Sequence, residues 1–242
     1  MFISEIYQSR QGEGLLTGTP SVFVRTSGCN LRCGFCDTPF ASWNPEGETL
    51  SIAEVVNRVV TAARATDSDL KTRDPADARH VVITGGEPML PNEIEALCGQ
   101  LKELGFHITI ETAGTIHRDL ACDLMSISPK LSNSDPDPRR AGKWLERHQK
   151  TRRQPDSIRK LIDQFNYQQK FVVNDPVDMV EIEAFLALIK PLDLARVLLM
   201  PQGIQQEELA ERESWLEPIC QARGYQLCRR WHILWYGNKR GT

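Results

Sequence analysis

The sequence predicts an α/β fold built around a mostly parallel sheet, and three observations support this prediction. Short segments rich in β-branched residues alternate with segments of helical periodicity from the first quarter of the chain to its end, as expected of strand–helix units. Hydrophobic residues make up 40% of the chain and charged residues 25%, which excludes collagen-like, disordered and strongly polybasic classes. A chain of 242 residues is also long enough to bury a sizeable core.

Six segments are predicted to be strands because each is short, apolar and rich in β-branched residues. They are residues 21–25, 81–84, 107–111, 124–128, 170–173 and 196–200. Four further segments have apolar residues at helical spacing, and they are residues 52–63, 94–104, 179–189 and 207–222. The first of these helices follows Ser51, a residue suited to the N-cap, with Glu54 three positions further on. We expect the helices to cover the sheet.

The net charge of −3 does not indicate a surface built for nucleic acid or for an anionic membrane. No apolar stretch approaches the roughly 18 residues that span a bilayer, and the N-terminal residues lack the charged-then-apolar order of a signal peptide. We therefore expect a cytoplasmic protein whose seven cysteines stay reduced. Seven reduced cysteines therefore pose the question of metal or redox chemistry.

Two polar stretches interrupt the alternating pattern. Residues 66–78 are predicted to be a surface insertion. Residues 139–160 contain nine lysines and arginines but only two acidic residues, within a basic insertion expected at about 135–165. A run of like charges usually marks exposed chain, which predicts a solvated helix with exposed loops. The alternative is a docking face for an acidic partner.

Three cysteines, Cys29, Cys33 and Cys36, form a C-x3-C-x2-C motif directly after the first predicted strand. Three thiolates can hold an iron–sulfur cluster, and on a cubane cluster they leave the fourth iron without a protein ligand. Zinc is the alternative, but it requires a fourth ligand, and the sequence contains no second C-x2-C or H-x3-H pair. The scattered cysteines are interpreted as buried packing residues, and they are Cys98, Cys122, Cys220 and Cys228.

The cysteine spacing resembles that of the radical S-adenosylmethionine (SAM) superfamily, and so does TGGEP at residues 84–88. The resemblance implies a modified, incomplete (β/α) barrel of about six parallel strands, a 4Fe-4S cluster, and SAM on the open iron. Reduction of the cluster then yields a 5′-deoxyadenosyl radical, while the protein positions the reactants. In such barrels the site gathers at the carboxyl ends of the strands, where the cysteine loop, TGGEP, ETAGT, SISPK and LMPQG would converge.

Further motifs resemble one family, the 7-carboxy-7-deazaguanine synthases, over nearly the whole chain. They include EIYQSRQGEG, FVRTSGC, CDTPFASW, SPK, MPQG and the final RWHILWYGNKRGT, and together they indicate a single domain over residues 1–242. The resemblance implies a lyase that converts 6-carboxy-5,6,7,8-tetrahydropterin to 7-carboxy-7-deazaguanine with loss of ammonia, for queuosine in tRNA or other deazapurines. It also implies Mg²⁺ as a cofactor and a homodimer, and the basic segment is a candidate contact for a flavodoxin-type electron donor.

The same resemblance assigns site residues by position. The cluster ligands are Cys29, Cys33 and Cys36, and Thr38 would bind Mg²⁺ unless it only caps the local turn. The substrate residues would be Arg10, Gln11, Gly12, Glu13, Arg25, Thr84 and Thr242. The SAM residues would be Phe35, Cys36, Asp37, Gly86, Glu87, Ser128, Pro129 and Lys130.

Three of these assignments have a direct chemical reason or an open alternative. Arg25 would pair with the substrate carboxylate, because a guanidinium offers a matching planar fork. Glu87 would accept a hydrogen bond from the ammonium group of SAM. Glu111 would orient the pterin or move a proton, or else form a salt bridge inside the barrel.

Two other functional classes stay open at this point. A glycyl-radical activase, or another radical SAM enzyme, would need a docking surface for a large substrate, which only the basic segment offers. A non-catalytic iron–sulfur or zinc module would use the same cysteines for electron transfer or binding.

Overall fold

A computed structural model describes residues 1–64 and 78–242 and contains one nine-stranded sheet in the order β3-β1-β2-β4-β5-β6-β7-β8-β9. The strands are β1 (Phe2–Arg10), β2 (Pro20–Thr26), β3 (Glu48–Thr49), β4 (His80–Gly85), β5 (His107–Thr112), β6 (Leu124–Ile127), β7 (Tyr167–Val173), β8 (Val197–Pro201) and β9 (Gln226–Leu227). The helices are α1 (Pro39–Ser42), α2 (Ile52–Arg64), α3 (Ile94–Glu103), α4 (Pro138–Ala141), α5 (Trp144–Thr151), α6 (Pro155–Gln164), α7 (Asp178–Leu188), α8 (Gln206–Arg223) and α9 (Trp231–Tyr236).

All six predicted strands are present, as β2 and β4 to β8, and neighbouring members of this set run parallel. The α/β fold class and the incomplete barrel are therefore confirmed. Strand β1 was not predicted and pairs antiparallel with β2 and β3 at one edge of the sheet. Its apolar signal is weak, because only Ile3 and Ser9 of its nine residues are buried.

The four predicted helices are confirmed as α2, α3, α7 and α8, with every boundary within one residue. In α3, the fully buried side chains of Ile94, Leu97 and Leu101 follow helical spacing. Each such burial stabilises the fold by about 1.5–3 kcal/mol. Within the described residues, no helix is long and apolar enough to cross a membrane.

The main core lies between the sheet and its helices, and a smaller apolar cluster contains Val172, Leu198, Met200 and Cys228 with Phe35 packed against it. Successive strand residues point to opposite faces, so Lys170 and Val172 line the cavity described below while Phe171 joins the main core. The parallel sheet thereby places polar side chains beside the cysteine loop. A single domain over residues 1–242 stays our prediction.

The prediction of a solvated helix with exposed loops is confirmed for seven of the nine basic residues, which are exposed, but the stretch also contributes side chains to the core. Helix α6 buries Ile158, Leu161 and Ile162 in the main core, and His148 of α5 is fully buried. In the sequence, the charged residues outnumber the apolar residues of this helix, so its apolar face is not apparent from composition. The other polar stretch, residues 66–78, lies outside the described residues except for Ala78, which is buried.

Candidate active site

A cavity of about 520 Å³ opens at the carboxyl ends of the parallel strands. It is lined by residues from the QGEG turn, the cysteine loop, TGGEP, ETAGT, SPK, MPQG and the C-terminal tail. Small-molecule sites usually enclose roughly 300–1,000 Å³. The strand-end motifs therefore converge on one site of ordinary size.

Most of the predicted site residues line this cavity. They are Arg10, Gln11, Gly12, Glu13, Arg25, Cys29, Cys33, Phe35, Cys36, Asp37, Thr38, Thr84, Gly86, Glu111, Ser128, Lys130 and Thr242. Glu87 and Pro129 are buried behind it.

The cysteine loop is held against TGGEP by close backbone contacts. Glu87 N donates to Gly28 O at 2.9 Å, and Gly28 N donates to Ala41 O at 2.8 Å. A Cβ atom on Gly86 would lie 2.0 Å from Gly28 O. Glycine is therefore required at position 86 because the cysteine loop approaches its backbone, a reason that is independent of any cofactor.

The cysteine thiols are electrostatically suited to a bound cation. Burial raises the pKa of Cys29 to about 12, with the charge of Glu87 adding to the effect. Burial also raises the pKa of Cys33 to about 12, although Lys130 opposes it. Thiolates in this setting need a positive partner, which the irons of a cluster provide.

The spacing of the donors also matters. Within residues 1–64 and 78–242, no group of three His, Cys, Asp or Glu side chains is placed to hold a single metal ion. A cubane cluster does not need such a group, because each thiolate binds a different iron. The three cavity-lining cysteines therefore form no site for a lone metal ion with other described residues, and they are compatible with a cluster.

Glu87 has a different environment from the one we expected. Its fully buried carboxylate accepts hydrogen bonds from Thr112 Oγ1 at 2.7 Å, Ala113 N at 2.9 Å and Met89 N at 3.1 Å. These bonds join the loops after β4 and β5. Three of the acceptor positions of Glu87 therefore serve the protein, and its contact with the SAM ammonium group stays a prediction.

Glu111 lies at the end of β5 and is held by two neutral donors. Gln11 Nε2 donates to one carboxylate oxygen at 3.1 Å and Thr84 Oγ1 donates to the other at 3.0 Å. Glu111 forms no ion pair with any described residue, so the salt-bridge alternative is wrong. Its carboxylate is fixed in position and keeps acceptor capacity toward the cavity.

The Arg25 side chain lies inside the cavity. Its Nε donates to Glu5 Oε1 at 2.6 Å and its Nη2 donates to the Tyr7 hydroxyl at 2.9 Å. Burial disfavours the charge, but the Tyr7 and Glu5 side chains outweigh this and raise the pKa of Arg25. The guanidinium therefore stays charged and is oriented by two partners.

A buried network of charges was missed by sequence reasoning. Glu13 pairs with Lys170 of β7 and with Arg230 Nε at 3.2 Å, and Arg230 Nη2 reaches Asp37 Oδ2 at 2.5 Å. Burial would raise the pKa of Glu13, but the charges of Lys170 and Arg230 lower it instead. The only available signal was a lysine in the apolar segment KFVV and an arginine in the C-terminal motif.

Thr38 lies immediately before α1 and lines the cavity, but its side chain makes no capping hydrogen bond to that helix. Its hydroxyl is 3.8 Å from Cys36 Sγ. The capping alternative for Thr38 is therefore wrong, and the hydroxyl is placed where a cavity ligand could reach it.

The C-terminal tail closes one side of the mouth. Arg240 donates to Glu5 Oε2 at 2.9 Å and to Glu46 Oε2 at 3.1 Å, and its guanidinium lies 4.0 Å from the ring centre of Phe40. These contacts bring Thr242 to the cavity lining. Arg240 therefore holds the tail beside the cavity, and the contact of Thr242 with the substrate stays a prediction.

The basic segment braces the cysteine loop from outside. The amide of Arg32 donates to His148 Nδ1 at 3.1 Å, and His148 Nε2 lies 3.0 Å from Ser134 Oγ. The guanidinium of Arg32 lies 3.9 Å from the ring centre of Trp144. This contact between α5 and the loop could not be read from the charge pattern.

The remaining cysteines form no disulfide within the described residues. Cys98, Cys220 and Cys228 are buried, whereas Cys122 is partly exposed. The packing interpretation is confirmed for the three buried residues. Cys228 also accepts a hydrogen bond from Gly14 N, with its Sγ 3.2 Å away.

Comparison with known proteins gives four similarities. The model of the radical SAM superfamily matches residues 23–132. A 7-carboxy-7-deazaguanine synthase of Rhodopirellula baltica is 44% identical, over 100% of this chain and 89% of that protein. A 7-carboxy-7-deazaguanine synthase of Halobacterium salinarum is 43% identical, over 96% of this chain and 90% of that protein. The crystal structure of QueE from Escherichia coli matches with a TM-score of 0.64 and 24% sequence identity, over 96% of this chain and 94% of that chain. This similarity supports the fold alone.

Proposed function

The chain belongs to the 7-carboxy-7-deazaguanine synthase family, and we propose that it converts 6-carboxy-5,6,7,8-tetrahydropterin to 7-carboxy-7-deazaguanine with release of ammonia. The observation that supports this most strongly is that Cys29, Cys33 and Cys36 share one cavity with Arg25 and Glu111. A cluster site and a polar substrate site would therefore lie in the same cavity. The product would feed the synthesis of queuosine or of other 7-deazapurines.

The cysteine loop would hold the cluster, and the SAM side of the cavity would be formed by Phe35, Asp37, Gly86, Ser128 and Lys130. When bound, the cluster and SAM supply a carbon radical that takes a hydrogen atom from the substrate. Lys130 Nζ donates to Ser128 Oγ at 2.7 Å and forms no ion pair with a described residue. Its charge is thus available to an anionic group of the cofactor.

Arg25 and Glu111 would orient the pterin from opposite ends. Arg25 commits Nε and Nη2 to Glu5 and Tyr7, which leaves Nη1 to donate to the substrate carboxylate. Glu111, steadied by Gln11 and Thr84, would accept hydrogen bonds from N–H groups of the pterin. Such positioning matters, because an error of about 1 Å can reduce the rate on the order of a hundredfold.

We infer that Thr38 anchors Mg²⁺ through its hydroxyl. Mg²⁺ prefers oxygen ligands and usually keeps substrate groups or water in its octahedron, so one protein ligand is sufficient. The location of Thr38 in the cavity lining and its lack of a capping bond support this assignment.

A homodimer, a cytoplasmic location and a flavodoxin-type electron donor complete the proposal. The donor would contact the exposed arginines beside the cysteine loop, which include Arg139, Arg147 and Arg153. Arg152 is unsuitable, because it pairs with Asp135 at 3.0 Å and Glu181 at 3.1 Å. Reversing the three exposed arginines to glutamate should slow flavodoxin-driven turnover and leave dithionite-driven turnover intact. Equal rates with both donors would remove this surface from the proposal.

An anaerobic assay of the reconstituted protein tests the reaction itself. The carboxytetrahydropterin, SAM, Mg²⁺ and dithionite as the electron donor are supplied, and the ultraviolet absorbance of the product is followed. We expect product only when the pterin, SAM and the electron donor are all present, and a lower rate when a chelator removes Mg²⁺. An intact cluster without turnover would exclude this substrate, and a colourless zinc protein would exclude radical chemistry.

A further inference from the structure

Ser42, the last residue of α1, lies beside the cysteine motif and has no role in the proposed reaction. Its Oγ is 3.1 Å from Cys36 Sγ, and the residue is only 4% exposed. We propose that Ser42 donates a hydrogen bond to the Cys36 thiolate and raises the reduction potential of the cluster. This inference rests on the cluster that the proposed function assigns to the three cysteines.

The direction of the hydrogen bond follows from the chemistry of the ligand. A cysteine that binds iron is a thiolate without a proton, so the hydroxyl of Ser42 must be the donor. The other acceptor near this hydroxyl is Thr38 O, at the longer distance of 3.4 Å. The Thr38 hydroxyl lies 3.8 Å from the same sulfur and is assigned to Mg²⁺, which leaves Ser42 as the nearer donor.

Tertiary contacts fix the position of Ser42. Helix α1 has only four residues, but Gly28 N donates to Ala41 O at 2.8 Å. On the other side, Trp43 Nε1 donates to Cys33 O at 3.0 Å, and Arg140 lies 4.0 Å from the Trp43 ring centre. The residues before and after Ser42 are therefore both tied to their surroundings, which holds its hydroxyl beside the sulfur.

A hydrogen bond to a ligating sulfur favours the more negative, reduced cluster, and such bonds are among the factors that set cluster potentials. Ser42 acts through Cys36, so it is a positioning and tuning residue. We expect loss of its hydroxyl to lower the equilibrium constant for reduction of the cluster by about tenfold, which lowers the midpoint potential by about 59 mV for a one-electron couple.

The test compares the wild-type protein with Ser42→Ala, Ser42→Thr and Ser27→Ala. Ser27 is a matched control, because it is 9% exposed and its hydroxyl has no hydrogen-bond partner in the described chain. Each protein is reconstituted anaerobically without SAM, its iron content is measured, and its midpoint potential is determined by titration monitored by electron paramagnetic resonance.

We expect a more negative potential for Ser42→Ala, and wild-type values for Ser42→Thr and Ser27→Ala. An unchanged or more positive potential in Ser42→Ala overturns the inference, whereas failure of the wild-type protein to bind iron overturns the proposed function. If Ser42→Ala loses the cluster, electron–nuclear double resonance of the wild-type protein tests whether the hydrogen bond to the Cys36 sulfur is present. It should detect an exchangeable proton coupled to the reduced cluster that persists in Ser42→Thr, and its absence contradicts the inference.

Discussion

Replacing Arg230 by alanine should lower the free energy of unfolding by about 3 kcal/mol, because a single buried guanidinium joins three loops. Arg230 is 6% exposed and donates to Glu13 at 3.2 Å, to Asp37 at 2.5 Å and to Gly203 O at 2.5 Å. Removing one partner of a buried ion pair costs about 3–5 kcal/mol. The lower end of this range applies, because Glu13 still forms its ion pair with Lys170 in the variant and the Asp37 side chain is 42% exposed.

Arg229 provides the matched control. It also bridges two carboxylates, Glu213 at 3.0 Å and Glu217 at 3.2 Å, but its side chain is 35% exposed. Exposed ion pairs contribute about 1 kcal/mol or less. Urea unfolding followed by circular dichroism should therefore separate Arg230→Ala from Arg229→Ala by about 2 kcal/mol. Equal losses in the two variants would refute the reasoning from burial.

Three further predictions concern polar groups in the core and in the cavity wall. Gln169 is fully buried, and neither side-chain amide atom has a hydrogen-bond partner among residues 1–64 and 78–242, so Gln169→Leu should stabilise the protein by about 1 kcal/mol in urea unfolding; a loss would contradict this. Burial, with the His107 charge second, lowers the pKa of His80 from 6.5 to about 4. Because His80 binds a proton more tightly in the unfolded chain, its contribution to the free energy of unfolding is complete above pH 6.5 and falls by about 3 kcal/mol toward pH 4. The free energy of unfolding of His80→Asn should therefore depend less on pH between 6.5 and 4. Glu111→Gln should raise KM for the pterin by about tenfold with unchanged unfolding, and an unchanged KM would remove Glu111 from substrate binding.

Local sequence patterns were sufficient for most of the fold. The segments that became β4, β5 and β8 are short and apolar, and both faces of a parallel strand are buried, so their composition alone marks them. Strand β1 has polar residues on both faces at the edge of the sheet, and helix α6 carries its apolar stripe within a run of charges. In both segments tertiary packing decides the structure, and composition gives a weak or misleading signal.

The sequence by itself determined the chemistry of this protein, because three closely spaced cysteines after a strand and the glycine-rich TGGEP are local features that keep their meaning in any α/β fold. Only the tertiary structure decided the partners of the charged groups. Glu87 accepts a hydrogen bond from Thr112. Arg230 pairs with Glu13, which lies 217 positions earlier in the chain, and with Asp37, which lies 193 positions earlier. Hydrogen bonds and ion pairs depend on distances in space, and the parallel sheet sets those distances by bringing the ends of separate strands to one edge.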